Sequence, residues 1–432
     1  MTKKNLFIWS DSPTCATGFG IVAKNLFKDL HNEYNVKILG INYYGTESYD
    51  VSKYFIYSID GNDPLGVGRM ERVIKDANPD KIILFQDIFN IQHVLPVIKN
   101  LFPNVPILAY FPIDGTPVSR FWGPAFDTPQ KLVTYTKWGI KSILESHAHL
   151  KDKNIEYLYH GVDTSVFNVM PNPIINKSKD EAKWGGKFLV ISNNRYQPRK
   201  ALPLTMRVMA LFIKGYKKCR CGNVYITTKT NCDLNGCGEE DVLSKHPGHT
   251  DVIIYFHAAM SEKVMGPGPA STLGAAAINA GFVDSDIPKH VALFSGNAYE
   301  KPYSDNQMAT LYNVADVNIS TSLGEGVGLS LIEAAACGTT SIAPKHSSIP
   351  EMLGDTGHII PNIAHMSLPL DNNHVRPIVN VELMIEALEI EYNKWVANNH
   401  KKVVNQNAVA RVNELFLWDD KRERLSEWLE QL

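Results

Sequence analysis

Two carboxylates set eight positions apart in a glycine-rich stretch are the clearest chemical signal in this chain. The segment Ser322–Gly338 reads SLGEGVGLSLIEAAACG, with Glu325 in the loop and Glu333 on the helix that the loop opens. Gly326 and Gly328 allow backbone to approach a ligand closely, and free N–H groups at the helix start, around Val327, Gly328 and Leu329, favour an anion. A carboxylate such as Glu333 accepts hydrogen bonds well from a vicinal diol, such as a ribose. The alternative is a plain helix start whose acids complement the dipole. A second segment, SNNRYQPRK (Ser192–Lys200), directly follows the apolar run FLVIS. There Arg195 and Lys200 would stand at the carboxyl end of a strand. A guanidinium beside an ammonium suits a diphosphate, whose charge grows as it leaves; the alternative is a pair of solvated surface charges. Gly18 and Gly20 lack the full G-x-G-x-x-G spacing, so they fit a ligand-facing loop of backbone amides or a tight turn.

Such groups need elements to hold them, and the chain has room for those. Its 432 residues suggest two or three domains at about 150 residues each. Lys plus Arg total 43 against 45 Asp plus Glu, which excludes a wholly basic nucleic-acid clamp but not a local basic patch. With 44% hydrophobic and 20% charged residues the chain is unlike disordered sequence. The N-terminus, MTKKNLFIWSDSPT, has too short an apolar stretch for a signal peptide. The longest uncharged run, Val264–Val283, is broken by Gly266, Pro267, Gly268 and Pro269. The expectation is a soluble cytoplasmic protein without a transmembrane segment.

Short apolar runs alternate with helical patterns. Strands are predicted at Asn5–Ser10, Val36–Ile41, Lys81–Phe85 and Pro106–Phe111, then at Phe188–Ser192, Val252–Phe256, Val291–Phe294, Val317–Ser320 and Ser341–Ala343. Strands separated by helices imply crossovers and parallel sheets. The fold class is therefore α/β, with two Rossmann-like parallel-sheet domains facing a cleft. The expected bounds are residues 1–167, a polar linker at 168–182 with two prolines, a second domain at 183–385, and C-terminal helices at 386–432. In open sheets of this kind ligands bind outside the carboxyl ends of the strands.

Together with HGVD (His160–Asp163), these segments resemble the GT-B retaining glycosyltransferases of the family 4 type over most of the chain. The acidic segment is similar to that family's E-x7-E signature, and SNNRYQPRK to its G-R-x-x-x-x-K segment, with Asn194 where the family has glycine. LYNVADVNIS resembles the helix and strand before the acidic motif. LFLWDD (Leu415–Asp420) resembles the start of a final helix that crosses back to the first domain. The resemblance implies transfer of a sugar (hexosyltransferase-like) from a nucleotide-sugar donor, bound mainly on the second domain, to an unidentified acceptor entering from the first. It places the ribose on Glu333, the transferred sugar on Glu325 and the diphosphate on Arg195 and Lys200. No catalytic metal is expected. Asp114, in FPIDGTP, stands where the family often has a histidine near the reacting centre. It would orient sugar hydroxyls, or serve as the turn aspartate of an Asp-Gly pair. Asp87 is a weaker candidate of the same kind, while His160 and His257 read as packed or surface residues. The competing readings are a nucleotide-sugar epimerase and a non-catalytic nucleotide-sugar-binding protein.

Four of the six cysteines crowd into a Cys-rich insert at about 217–240 (Cys219, Cys221, Cys232 and Cys237), each pair closed by a following glycine. The pattern resembles zinc-ribbon knuckles, and four thiolates would satisfy a structural Zn²⁺, although the spacings depart from the usual two-residue gaps. Free thiols and disulfides are the alternatives. Residues 195–220 hold eight Lys or Arg (Arg195, Arg199, Lys200, Arg207, Lys214, Lys217, Lys218 and Arg220) and no acid. They complement a helix end, or mark a polyanionic acceptor such as the hydroxymethylated DNA that some bacterial-virus glycosyltransferases of this architecture decorate.

Overall fold

Parallel strands covered on both faces read as near-continuous apolar runs, and the middle of the first strand, KNLFIWSD, does so: Phe7, Ile8 and Trp9 are fully buried. The computed structural model describes residues 3–49, 54–230, 232, 237–258, 272–293 and 303–432. Its first lobe contains β1 (Lys4–Asp11), α1 (Gly18–Leu26), β2 (Tyr34–Ile41), β3 (Ser48–Tyr49), β4 (Phe55–Tyr57), α2 (Met70–Ala77), β5 (Lys81–Phe85) and α3 (Ile88–Leu101). It continues with β6 (Ile107–Phe111), α4 (Gly123–Asp127), β7 (Lys131–Thr134), α5 (Lys137–Ser146) and β8 (Ile155–Tyr157). The strand order is β3-β4-β2-β1-β5-β6-β7-β8, parallel except for the β3–β4 pair.

The second lobe begins with α6 (Asn172–Glu181), β9 (Phe188–Asn193) and α7 (Leu202–Lys214). A three-stranded insert follows: β10 (Tyr216–Cys219), β11 (Val224–Ile226) and β12 (Val242–His246). Then come β13 (Val252–His257), α8 (Leu273–Ala280), α9 (Ile287–His290), β14 (Val291–Leu293), α10 (Asp305–Val314), β15 (Val317–Ile319), α11 (Leu329–Ala336), β16 (Thr340–Pro344), α12 (Ile349–Leu353) and β17 (His358–Ile360). The chain ends with the hairpin β18 (Asn362–Ser367) and β19 (Val375–Val379), then α13 (Val381–Ala397), α14 (Gln406–Leu415) and α15 (Trp418–Gln431). The central sheet runs β14-β13-β9-β15-β16-β17, all parallel.

The loop after β6 and the loop after β15, each at the carboxyl end of its strand, meet where Gly326 approaches Pro112. α13 buries Met384, Ile385, Leu388 and Trp395 in the second lobe's core. α15 instead lies on the first lobe, where Leu425, Trp428 and Leu429 are buried and Arg422 donates to the Asn25 carbonyl at 3.1 Å. Each fully buried side chain of this size contributes about 2–3 kcal/mol of apolar transfer free energy. Residues 168–182 are not a plain linker, because Asn172–Glu181 form a helix. The proline expected to break structure sits in its first turn, where it costs no hydrogen bond. Strands β7 and β8 escaped the sequence reading. Phe294 and residues 264–271 of the uncharged run lie outside the described residues. Among the described residues no helix is long and apolar enough to cross a membrane.

Candidate active site

The loop between β15 and α11 carries the first carboxylate and is fastened on all sides. Ser348 Oγ donates to the carbonyls of Glu325 and Val327, both at 3.0 Å, and the Glu325 N–H donates to Ser347 Oγ at 2.9 Å. Gly328 closes the loop in the left-handed region (φ +83°), and α11 starts there without a side-chain cap. Its first N–H groups are thus available to an anion. Opposite, the turn Pro198–Lys200 ends in Ala201, a non-glycine residue at φ +48°, held because Thr321 Oγ1 donates to its carbonyl at 2.9 Å. This turn aims Lys200 inward, so that its ammonium meets Glu325 Oε1 at 2.5 Å with both side chains about nine-tenths buried. Burial opposes both charges. It pulls Lys200 down to about 8, whereas Lys200 and Arg199 outweigh it at Glu325 and hold that carboxyl below its ordinary value.

Glu333 lies further along α11, facing α10. Tyr312 donates its hydroxyl to Glu333 Oε2 at 3.0 Å and accepts from Asn193 Nδ2, at the end of β9, at 2.7 Å. Burial pushes Glu333 up to about 7, against the Tyr312 hydrogen bond. The ends of these two helices are tied together by Lys402. Its buried ammonium donates to the carbonyls of Tyr312 and Asn313 at 3.0 Å and of Cys337 at 3.1 Å, and to Thr339 Oγ1 at 2.6 Å.

The first lobe meets this loop directly. A Cβ on Gly326 would lie 2.9 Å from Pro112 Cβ, and one on Gly324 would collide with the Asp114 carbonyl and the Arg376 guanidinium. Only glycine permits the approach. Asp114, just past β6, has its carboxylate 3.5 Å from Arg199 and 3.3 Å from Arg376. Burial raises its pKa, but Arg199 and Arg376 prevail and hold it below the usual carboxylate range. Arg376 projects from the β18–β19 hairpin, is 1% exposed, and also pairs with Asp371 at 2.6 Å. Beside it the Val375 N–H donates to the Thr116 carbonyl at 2.6 Å, so the hairpin is stitched to the opposite lobe. Deeper in the first lobe, Asp11 accepts from Gln86 at 3.0 Å and Asn42 at 3.1 Å, and burial pushes Asp87 up to about 7.

Four of the predicted groups, Lys200, Glu325, Asp114 and the Gly326–Leu329 loop, therefore converge in the cleft. Glu333 is at its second-lobe wall. Arg195 is exposed at the rim, where its charge is felt by Asp11. Arg199, read only as part of a basic run, donates to the Gly324 carbonyl at 2.8 Å and meets Asp114. Gly18 has open space around its α-carbon, whereas a Cβ on Gly20 would strike the backbone of Cys15 and Ser12. His160 is buried among Tyr110, Tyr135 and Trp418, and burial lowers it to about 3. Missed from sequence were Arg376, Tyr312, Asn193 and Lys402.

Comparison with known structures places this geometry. The chain superposes over 99% of its length on 99% of Anabaena Alr3699/HepE in complex with UDP-glucose (TM-score 0.62, 15% identity). It covers 100% of this chain and 99% of a glycosyltransferase from Rickettsia africae (TM-score 0.66, 14% identity). Sucrose-phosphate synthase from Thermosynechococcus elongatus matches over 99% of both chains (TM-score 0.67, 13% identity). The fold is GT-B. Residues 269–368 match the family model described as Glycosyl transferases group 1. That span includes the whole acidic loop of the GT-B cleft and α11. No curated protein sequence matches the chain.

Two features extend beyond the GT-B cleft. The sulfurs of Cys219, Cys221, Cys232 and Cys237 all fall within 4.8 Å of one another in the insert. The basic run is largely spent on internal contacts: Lys214 pairs with Asp286 at 2.7 Å, Lys218 with Glu382 at 2.8 Å, and Arg207 donates to the Val224 carbonyl at 2.9 Å. These pairings favour the structural account of the run over a nucleic-acid surface.

Proposed function

We propose that the chain is a retaining glycosyltransferase of the family 4 type, moving a sugar from a nucleotide-sugar donor to an acceptor that enters from the first lobe. The observation that carries this is the Lys200–Glu325 pair at the uncapped start of α11, inside a GT-B cleft. In this reading the donor diphosphate seats on the α11 N–H groups with Lys200 and Arg199, and Arg195 approaches from the rim. Positive charge fixed at this point stabilises the leaving diphosphate more than the intact donor, which lowers the barrier. Lys200 and Glu325 neutralise one another across 2.5 Å. A diphosphate at α11 takes over Lys200, and Glu325 then accepts from hydroxyls of the transferred sugar. Glu333, fixed by Tyr312, accepts from the ribose diol. Asp114, held between Arg199 and Arg376, orients sugar hydroxyls at the acceptor side.

UDP-glucose heads the panel of donors, because HepE, a structural relative, is seen with it. The test incubates the chain with nucleotide sugars, with and without a range of acceptors, and measures free nucleoside diphosphate. Release that depends on acceptor supports transfer. An isomerised donor supports epimerisation, and donor binding without turnover supports a non-catalytic pocket. Retention is read from the anomeric configuration of the product by NMR.

A further inference from the structure

The cleft makes no use of the four clustered thiols, and their surroundings show what they are for. The insert from β10 to β12 is about thirty residues long, too small to be held by an apolar core of its own. Its buried cluster consists of Cys219, Tyr225 and Cys232, with Cys237 and Val242 packed alongside, so cysteine supplies much of the core. Backbone hydrogen bonds close on each pair of cysteines. At the first, Gly222 adopts φ +90° and donates its N–H to the Cys219 carbonyl at 2.9 Å, while the Cys219 N–H donates to the Asn223 carbonyl at 2.9 Å. At the second, the Cys232 N–H donates to the Cys237 carbonyl at 3.3 Å. The Asn223 amide donates to Cys232 Sγ at 3.2 Å, the kind of contact that stabilises a thiolate ligand from outside.

We propose that Cys219, Cys221, Cys232 and Cys237 bind one Zn²⁺ tetrahedrally and that this metal is the structural core of the insert. Zn–S bonds of about 2.3 Å put the sulfurs of a tetrahedron about 3.8 Å apart, and Cys221 and Cys232 stand 3.5 Å apart. Two disulfides would instead draw the sulfurs into separate pairs at about 2.05 Å. On binding, four S–H bonds break and four Zn–S bonds form. Four protons leave to solvent, and no oxidant or reductant takes part.

The centre is remote from the cleft. Lys200 precedes the N-terminus of α7 and Cys219 follows its C-terminus, with about 20 Å of helix between them. The insert clasps the outer side of the second lobe. Ile226 packs against Gly281 at the end of α8, Lys218 pairs with Glu382 on α13, and the Thr227 N–H donates to the Gly215 carbonyl at 3.0 Å. The zinc therefore fixes a brace across α7, α8 and α13 and takes no part in chemistry.

The test uses the full chain purified under reducing conditions without chelator. Elemental analysis is expected to find about one zinc per chain. Cobalt exchanged into the site should give the absorption of a tetrahedral tetrathiolate. Cys219→Ser and Cys232→Ser should lose the metal and melt at lower temperature, and Cys15→Ser should keep it. Should those variants fail to fold, zinc content and the cobalt spectrum of the unaltered chain still decide. Stoichiometric iron, a mass four hydrogens light that reports two disulfides, or four thiols titrating freely in the zinc-supplied native protein would each overturn the proposal. Because none of these readouts involves a nucleotide sugar, they stand or fall apart from the cleft.

Discussion

Donor binding should strengthen as the pH rises from 6 to neutrality, and one side chain should account for it. Burial places Glu333 at about 7, so about a tenth of it is ionised one unit below that pH and about nine-tenths one unit above. The diphosphate diester of a nucleotide sugar carries no group that titrates in this window. If only the carboxylate grips the ribose diol, the donor Kd falls about fivefold between pH 6 and pH 7, a window that lies below the Lys200 value of about 8. Calorimetric titration of UDP-glucose at those two pH values measures this. Glu333→Gln should bind weakly at both, with the slope gone. The same shift acts in the opposite direction on folding. A carboxyl with a raised pKa binds its proton more tightly in the folded state, so its contribution to stability is full below its ordinary value and is lost as the pH rises to about 7. Glu333→Gln should flatten that limb of the urea-unfolding profile as well. A wild-type Kd independent of pH would refute the assignment, and a slope that survives in Glu333→Gln would refute it and point to Asp87, which burial also places at about 7.

Lys200→Ala should lower kcat by a larger factor than it weakens donor binding, because the charge it meets grows as the diphosphate leaves; equal losses in the two would leave only ground-state binding. Gly324→Ala places a methyl group against the Asp114 carbonyl and Arg376. It should hold the lobes apart, with a larger radius of gyration by small-angle scattering, little change in donor Kd and a fall in turnover; an unchanged radius would show that the loop accommodates it. Lys402→Met strips hydrogen bonds from three buried carbonyls and should cost about 3 kcal/mol in urea unfolding.

The parts of this molecule that could be read ahead of its structure are those whose cause is local. β1 and β5 announce themselves because strands buried on both faces are continuously apolar. The glycines of the β15–α11 loop mark a close approach for a similar reason. β7 and β8 stayed hidden because KLVT and IEY each carry a charge, and it is the pairing of Lys131 with Glu156 at 3.0 Å that makes burial tolerable. α6 was obscured by prolines that start a helix as readily as they break one. Arg376 offered no signal at all: its strand contains Pro377, and its function depends on a residue 262 positions away. Arg199 was visible but looked like one of eight surface cations, since nothing in its neighbours reveals that a turn points it at Asp114. Glu333's partner Tyr312 lay inside a motif already noticed, yet its hydroxyl matters only once α10 and α11 are packed together.

Glu351 shows a dependence between the halves that no single half could satisfy. This residue of α12 accepts from the Lys137 N–H at 3.0 Å and from Trp138 at the start of α5, and its other contact is the Tyr159 hydroxyl at 2.9 Å. The positive end of a first-lobe helix thus finds an anion on the second. Pulled apart, one half would keep bare amide dipoles and the other an unmated acid, each returned to water. The jaws of this protein accordingly carry a built-in preference for biting down, and anything entering between them must compete with that grip or be shaped to complete it.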